Sequence, residues 1–183
     1  MTYLQPSLFI IPIIALSVVI VCYIYYAKKA SDRKAFKQLI LAISMVAFLA
    51  NFAWEVLQGP FYSGYEYDIE HISFCALASV ADVLMVLILY FGLTFFYKNP
   101  FWIKKITLFR LVTLILIGGI GAILGEIRHL TRGSWSYADS MPTIPIGNVG
   151  LLPVLQFMIL PVLIYGIAAY FLKNFLESDL SKD

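Results

Sequence analysis

An all-α fold, a polytopic transmembrane bundle of five helices, is what this sequence predicts, and three observations predict it. Of its 183 residues 61% are hydrophobic and only 13% are charged, against roughly 25% charged in an ordinary soluble domain. Five stretches, near 7–27, 38–60, 71–97, 106–127 and 150–172, are each apolar over the ~20 residues that crossing a bilayer takes. None alternates in the about ten-residue segments of a membrane β-barrel. The five helices fill nearly all of 1–183, a single integral membrane domain with no room for a soluble domain or a nucleic-acid-binding module, and no fixed-period repeat appears.

The first stretch has no positive charge before it and no small-residue cleavage site after it; it runs into KKASDRKAFK and reads as a retained helix. The second ends at Gly59 and Pro60, residues that close helices. The fourth, which contains GGIGAILG, uses its glycines for close helix packing and not for a nucleotide loop. Basic residues orient the set. Lys28, Lys29, Arg33, Lys34 and Lys37, then Lys98, Lys104, Lys105 and Arg110, then Lys173 and Lys182 share one side, and Arg128 and Arg132 fall on the other. The positive-inside rule puts the amino terminus outside and the carboxyl terminus in the cytoplasm, in a prokaryotic inner membrane. The net charge of +2 thus reports topology, not nucleic-acid binding. Cys22 and Cys75 fall within helices, as small buried residues and not as a disulfide.

The polar residues inside these stretches are not scattered. Asn51, Glu55 and Gln58 recur at i, i+4 and i+7 on one face of helix 2, with Trp54 alongside. His71, Cys75, Ser79 and Asp82 form a matching stripe down helix 3, which puts Asp82 ~16 Å below His71, near the middle of the hydrocarbon. A charged carboxyl there costs ~2.5 to 3.5 kcal/mol or more, so Glu55 and Asp82 are expected to face inward and to find partners. Glu126 ends helix 4, with Arg128, His129 and Arg132 just beyond, and Gln156 sits in helix 5. Between them the segment 131–150 carries Trp135, Tyr137, Met141, Pro142, Ile144, Pro145 and Ile146, and it is expected to fold back as an ordered lid. Glu55, His71, Asp82 and Glu126 are expected to converge in an outward-facing polar pocket.

Several chemistries find no support. No H-E-x-x-H or C-x-x-C occurs, and EIRH is a single E-x-x-H where a di-iron bundle needs two, so neither a metal nor any other cofactor is expected. No G-x-G-x-x-G, G-K-[ST] or G-x-S-x-G is present.

The order N-x-x-W-E, then His and Asp down helix 3, then GE, then RGSWSYADSMPTIP and GLLPVLQFMILP, resembles a group of uncharacterised prokaryotic five-helix membrane proteins from Asn51 onward. In layout it is also similar to membrane carotenoid enzymes, the short helical lycopene cyclases and the carotenoid hydratases. That similarity implies a membrane-buried carboxyl protonating a polyene, with aromatic rings steadying the cation. The pattern departs at Gln156, where the cyclases carry an acid, which leaves Glu55, Asp82 or Glu126 for that role. Five helices with Glu, His and Trp at one end are also similar in architecture to the sterol-isomerase-like proteins.

The expected function is an intramembrane pocket that binds an isoprenoid or other lipid and carries out acid/base chemistry on it. Glu55 and Asp82 lead as proton donors, and His71 or Glu126 holds the complementary role. Asn51, Trp54, Gln58, His129, Trp135, Tyr137 and Gln156 would contact the ligand. The same residues also suit a small transporter or proton-coupled sensor, although the half of helices 4 and 5 nearer the cytoplasm is almost wholly apolar. A non-enzymatic accessory subunit, paired with a second copy or another membrane subunit, also fits the unassigned helix faces.

Overall fold

The computed structural model describes residues 10–180, the side chains of 178–180 excepted. It contains α1 (Ile10–Lys29), α2 (Arg33–Gln58), α3 (Ile69–Tyr97), α4 (Leu108–Thr131) and α5 (Leu151–Leu180). Each is long and apolar enough to cross a membrane, so the chain is an all-α, multi-pass membrane bundle. Residues 7–9 of the expected first helix lie outside the described residues.

Polar caps, not the limits of the apolar runs, set where helices begin. Asp32 accepts from the Ala35 N–H at 2.8 Å, so α2 starts at Arg33 and not at 38. Asp68 accepts from the His71 N–H at 2.8 Å and starts α3 at Ile69. Thr107 caps α4. Beyond the apolar run, α5 stays helical through good helix formers, with Lys173 Nζ 3.8 Å from Glu177 Oε1 one turn on.

The packing order is α4, α5, α2, α3, α1, each helix lying chiefly against its neighbours in that order, and α5 is the most enclosed of the five. Where α4 meets α5 the backbones touch. A Cβ on Gly118 would run into the Phe157 carbonyl, and one on Gly119 would press on the Met158 side chain. No membrane-internal hydrophobic effect drives such contacts, so close van der Waals packing has to.

The two ends of the bundle differ in kind. At the end carrying Lys28, Lys98 and Lys105, a 3-10 turn (Trp102–Lys104) tucks Trp102 under the helices, where it is 1% exposed. Its ring packs against Tyr90, Tyr97 and Tyr165, with centroids 6.1, 5.7 and 5.4 Å away. The Tyr165 hydroxyl donates to the Val86 carbonyl at 2.7 Å and that of Tyr90 to the Pro100 carbonyl. This basic end is filled with aromatic rings.

At the other end, a 3-10 turn (Gly59–Phe61) closes α2, and the segment after α4 crosses to meet it. Tyr62 and Tyr137 form an antiparallel bridge, flanked by Ser63 N–H to Ser136 O and Ala138 N–H to Phe61 O, both 2.9 Å. A small hairpin follows, β1 (Thr143–Ile144) on β2 (Val149–Gly150). Its turn depends on two successive left-handed residues, Gly147 (φ 70°) and Asn148 (φ 52°), the residue types that tolerate that region. The sequence reading had no strand here. The Leu151 N–H then donates to Pro142 O at 2.7 Å, which joins the hairpin to the start of α5.

Candidate functional site

One amide organises the polar residues at the hairpin end. Gln156, buried on α5, places Nε2 3.0 Å from Asn51 Oδ1, 3.1 Å from Glu55 Oε1 and 3.1 Å from Asp82 Oδ2. Its Oε1 accepts from Gln58 Nε2 at 3.1 Å. Gln58 Nε2 also donates to Glu55 Oε1 at 2.8 Å, and Gln58 Oε1 accepts from Trp54 Nε1 at 3.0 Å. Asn51 Nδ2 turns back to the Ala47 carbonyl at 2.8 Å. Helical spacing aligns Asn51, Glu55 and Gln58, while α3 and α5 bring Asp82 and Gln156 to the same place.

The donor count of this group has a chemical consequence. An amide nitrogen carries two N–H bonds, and here three oxygens surround it. The Glu55 and Asp82 carboxyls thus meet at one nitrogen. Two N–H bonds cannot serve all three oxygens at full strength, so the carboxyls compete for the Gln156 amide. Asn51, Gln58 and Gln156 are buried, whereas Glu55 and Asp82 are half-buried. On α3, Cys75 and Ser79 are buried above Asp82, and Ser79 Oγ donates to the Cys75 carbonyl at 2.7 Å.

A second group surrounds Glu126. Trp135 Nε1, at 3.3 Å, and the Tyr137 hydroxyl both donate to Glu126 Oε2. His129 stacks on Trp135 with centroids 4.1 Å apart, and its Nδ1 lies 3.3 Å from Ser134 Oγ. Burial, followed by the hydrogen bond to Glu126, raises the Tyr137 phenol well above the ordinary tyrosine range.

Tyr62 packs against the second group. Its ring lies 5.5 Å from that of Tyr137 and 6.3 Å from that of Trp135. Burial holds its proton most strongly, and the carboxyls of Glu126, Glu55 and Asp82 add to the effect, together with Tyr137. A phenol within reach of three carboxyls stays a donor. The sequence reading passed over Tyr62, although its place four residues after Gln58, past the helix-closing Gly-Pro, was the available signal.

His71 does not join the carboxyls. Its Nδ1 lies 2.8 Å from Asp68 Oδ1, the same oxygen that caps its own N–H, and its side chain is 35% exposed. An acidic cap three residues upstream keeps the imidazole at the helix start. The backbone N–H of His71 and then its ring hold the Asp68 carboxyl below its usual range. Among the described residues no Lys or Arg pairs with Glu55, Asp82 or Glu126, and no three His, Cys, Asp or Glu side chains are grouped to hold a metal ion.

Comparison of the chain with protein-family models, with curated proteins and with solved structures gave no match.

Proposed function

We propose that the hairpin end of the bundle is an intramembrane site that binds an apolar ligand, an isoprenoid or other lipid, and performs acid/base chemistry on it. The observation that supports this most is the Glu55–Asp82 pair, two half-buried carboxyls that meet at the Gln156 amide with no Lys or Arg paired to either among the described residues. Such a pair can release and recover a proton without dismantling an ion pair. Trp54, Tyr62, Trp135 and Tyr137 supply π faces to a developing positive charge, an attraction worth ~2 kcal/mol or more when desolvated. Glu126, held by Trp135 and Tyr137, is the second acid/base group.

The aromatic filling of the basic end favours a site over a transport path, because Tyr90, Trp102 and Tyr165 occupy the route that ions would follow. The basic end is assigned to the cytoplasm of a prokaryotic cell and the hairpin end to the outside. Reporter fusions at Tyr3 and after Asp183 should then report opposite sides.

Mass spectrometry of lipids retained by the protein in mild detergent tests the reading. One lipid class should be enriched over the bulk membrane, and the enrichment should fall in the Glu55→Gln, Asp82→Asn double variant. Retained lipid that merely mirrors the membrane would remove the ligand-binding proposal. A proton current through reconstituted vesicles would replace the site with a path.

A further inference from the structure

The loop between α2 and α3 contains a buried hydroxyl that meets no oxygen or nitrogen partner. The oxygen of Tyr65 is shut off from solvent and has no well-formed partner, whereas nearly all buried hydroxyls have one.

Three local features hold it in place. The chain reverses through Gly64, at φ 76°, with the Tyr65 N–H directed to the Tyr62 carbonyl at 3.4 Å. The Tyr65 ring then lies directly on Gly59, where any Cβ would intrude on its carbons. The rings of Tyr67 and His71 meet it edge-on, with centroids 5.2 and 5.3 Å away. The hydroxyl comes to rest beside the thiol of Cys75, a weak acceptor, at the head of the α3 stripe that continues through Ser79 to Asp82. Burial first, then the neighbouring Cys75, pushes the phenol up to about 12, so at neutral pH it is a donor.

A donor fixed this firmly, with nothing better than the Cys75 thiol beside it, suits a stronger acceptor that arrives from outside the chain. We infer that Tyr65 is a ligand-binding residue of the polar site, its hydroxyl donating to an oxygen on the apolar ligand, so that the ligand is an oxygenated lipid, an alcohol or carbonyl compound, and not a bare hydrocarbon. The inference rests on the ligand-binding reading above and narrows its chemistry.

The test compares phytol with phytene, the hydrocarbon of the same skeleton, binding to the full chain in mild detergent and followed by quenching of tryptophan fluorescence. The wild type should bind the alcohol about ten-fold more tightly, the size of one net hydrogen bond. Tyr65→Phe should bring phytol down to the affinity of phytene and leave phytene unchanged, while Tyr67→Phe keeps the preference. Equal wild-type affinities overturn the inference but leave ligand binding standing, and this comparison holds even if the variant fails to fold. A preference that survives in folded Tyr65→Phe also overturns it. No binding of either compound removes both the inference and the reading beneath it.

Discussion

Gln156 Nε2 lies 3.0 Å from Asn51 Oδ1, a hydrogen bond that ties α5 to α2 between residues 105 positions apart in the chain. Both side chains are buried, and neither has water to fall back on. The bond fixes which face of α5 is turned to α2, and so where Glu55 and Asp82 meet the same nitrogen.

Gln156→Leu should therefore destabilise the bundle by more than its change in volume implies. Interhelical hydrogen bonds in membranes average ~0.6 kcal/mol, and the two N–H bonds and the one acceptor oxygen of this amide are all lost together, so a loss of ~2 kcal/mol is expected. The readout is the thermal midpoint in detergent, and an unchanged midpoint would show that the amide is not a structural tie.

Two glycines three residues apart on α4 should respond oppositely to the same change. Gly118→Ala drives a Cβ into the Phe157 carbonyl, which is backbone and cannot rotate aside; about 1–3 kcal/mol of destabilisation is expected, as for overpacked cores. Gly121 has open space around it, so Gly121→Ala should be neutral or stabilising by up to ~1 kcal/mol through helix propensity. Denaturation of both variants in the same detergent gives the comparison. Equal effects would mean that α4 does not approach α5 so closely.

The donors to Glu126 separate a lid from an interfacial belt. If the segment 132–150 covers the site, replacing Trp135 and Tyr137 by Ala should release retained ligand while the helical circular dichroism persists, because Glu126 Oε2 loses both partners. Unchanged ligand with a lower thermal midpoint would favour an aromatic belt in the headgroup region.

Asp68 gives a pH dependence of defined sign. Its carboxyl is held below the ordinary aspartate range, chiefly by the His71 N–H and then by the imidazole. A depressed carboxyl stabilises the fold fully above its unfolded pKa and loses that contribution as the pH falls through its folded one. Hydrogen-exchange protection at the start of α3, taken relative to the intrinsic exchange rate at each pH, should thus be flat at neutral and mildly acidic pH and fall only below about pH 4, the ordinary carboxyl range. Asp68→Asn should abolish the acid step. An acid step that persists in Asp68→Asn would show that another group is responsible.

The helices were legible because apolar length is a direct physical requirement of the bilayer, and the inward stripe of Asn51, Glu55 and Gln58 was legible because helical spacing is fixed. That Gln156 would hold them together was not. Sequence offers no distance between residues 74 to 105 positions apart, and a lone glutamine in an apolar run looks like any interhelical contact. Tyr62 and Tyr65 were hidden for another reason. Tyrosines at a helix end are common in interfacial belts, and only the turn at Gly64 and the bare surface of Gly59 turn them inward. His71 was misplaced in the expected cluster because Asp68 was not weighed as its cap. The hairpin depended on Gly147 and Asn148, which a reading centred on helices took for part of a loop.

Gln156 also sets an order of assembly. The helices that carry Glu55 and Asp82 emerge during synthesis long before α5 does, and α5 alone brings the amide that serves both carboxyls. Until it arrives, the nascent chain has two acidic side chains within its apolar helices and, among the described residues, only Gln58 donating to one of them. Exposed carboxyls of this kind are costly in hydrocarbon. A chain truncated before Leu151 thus keeps both carboxyls but lacks the amide that serves them.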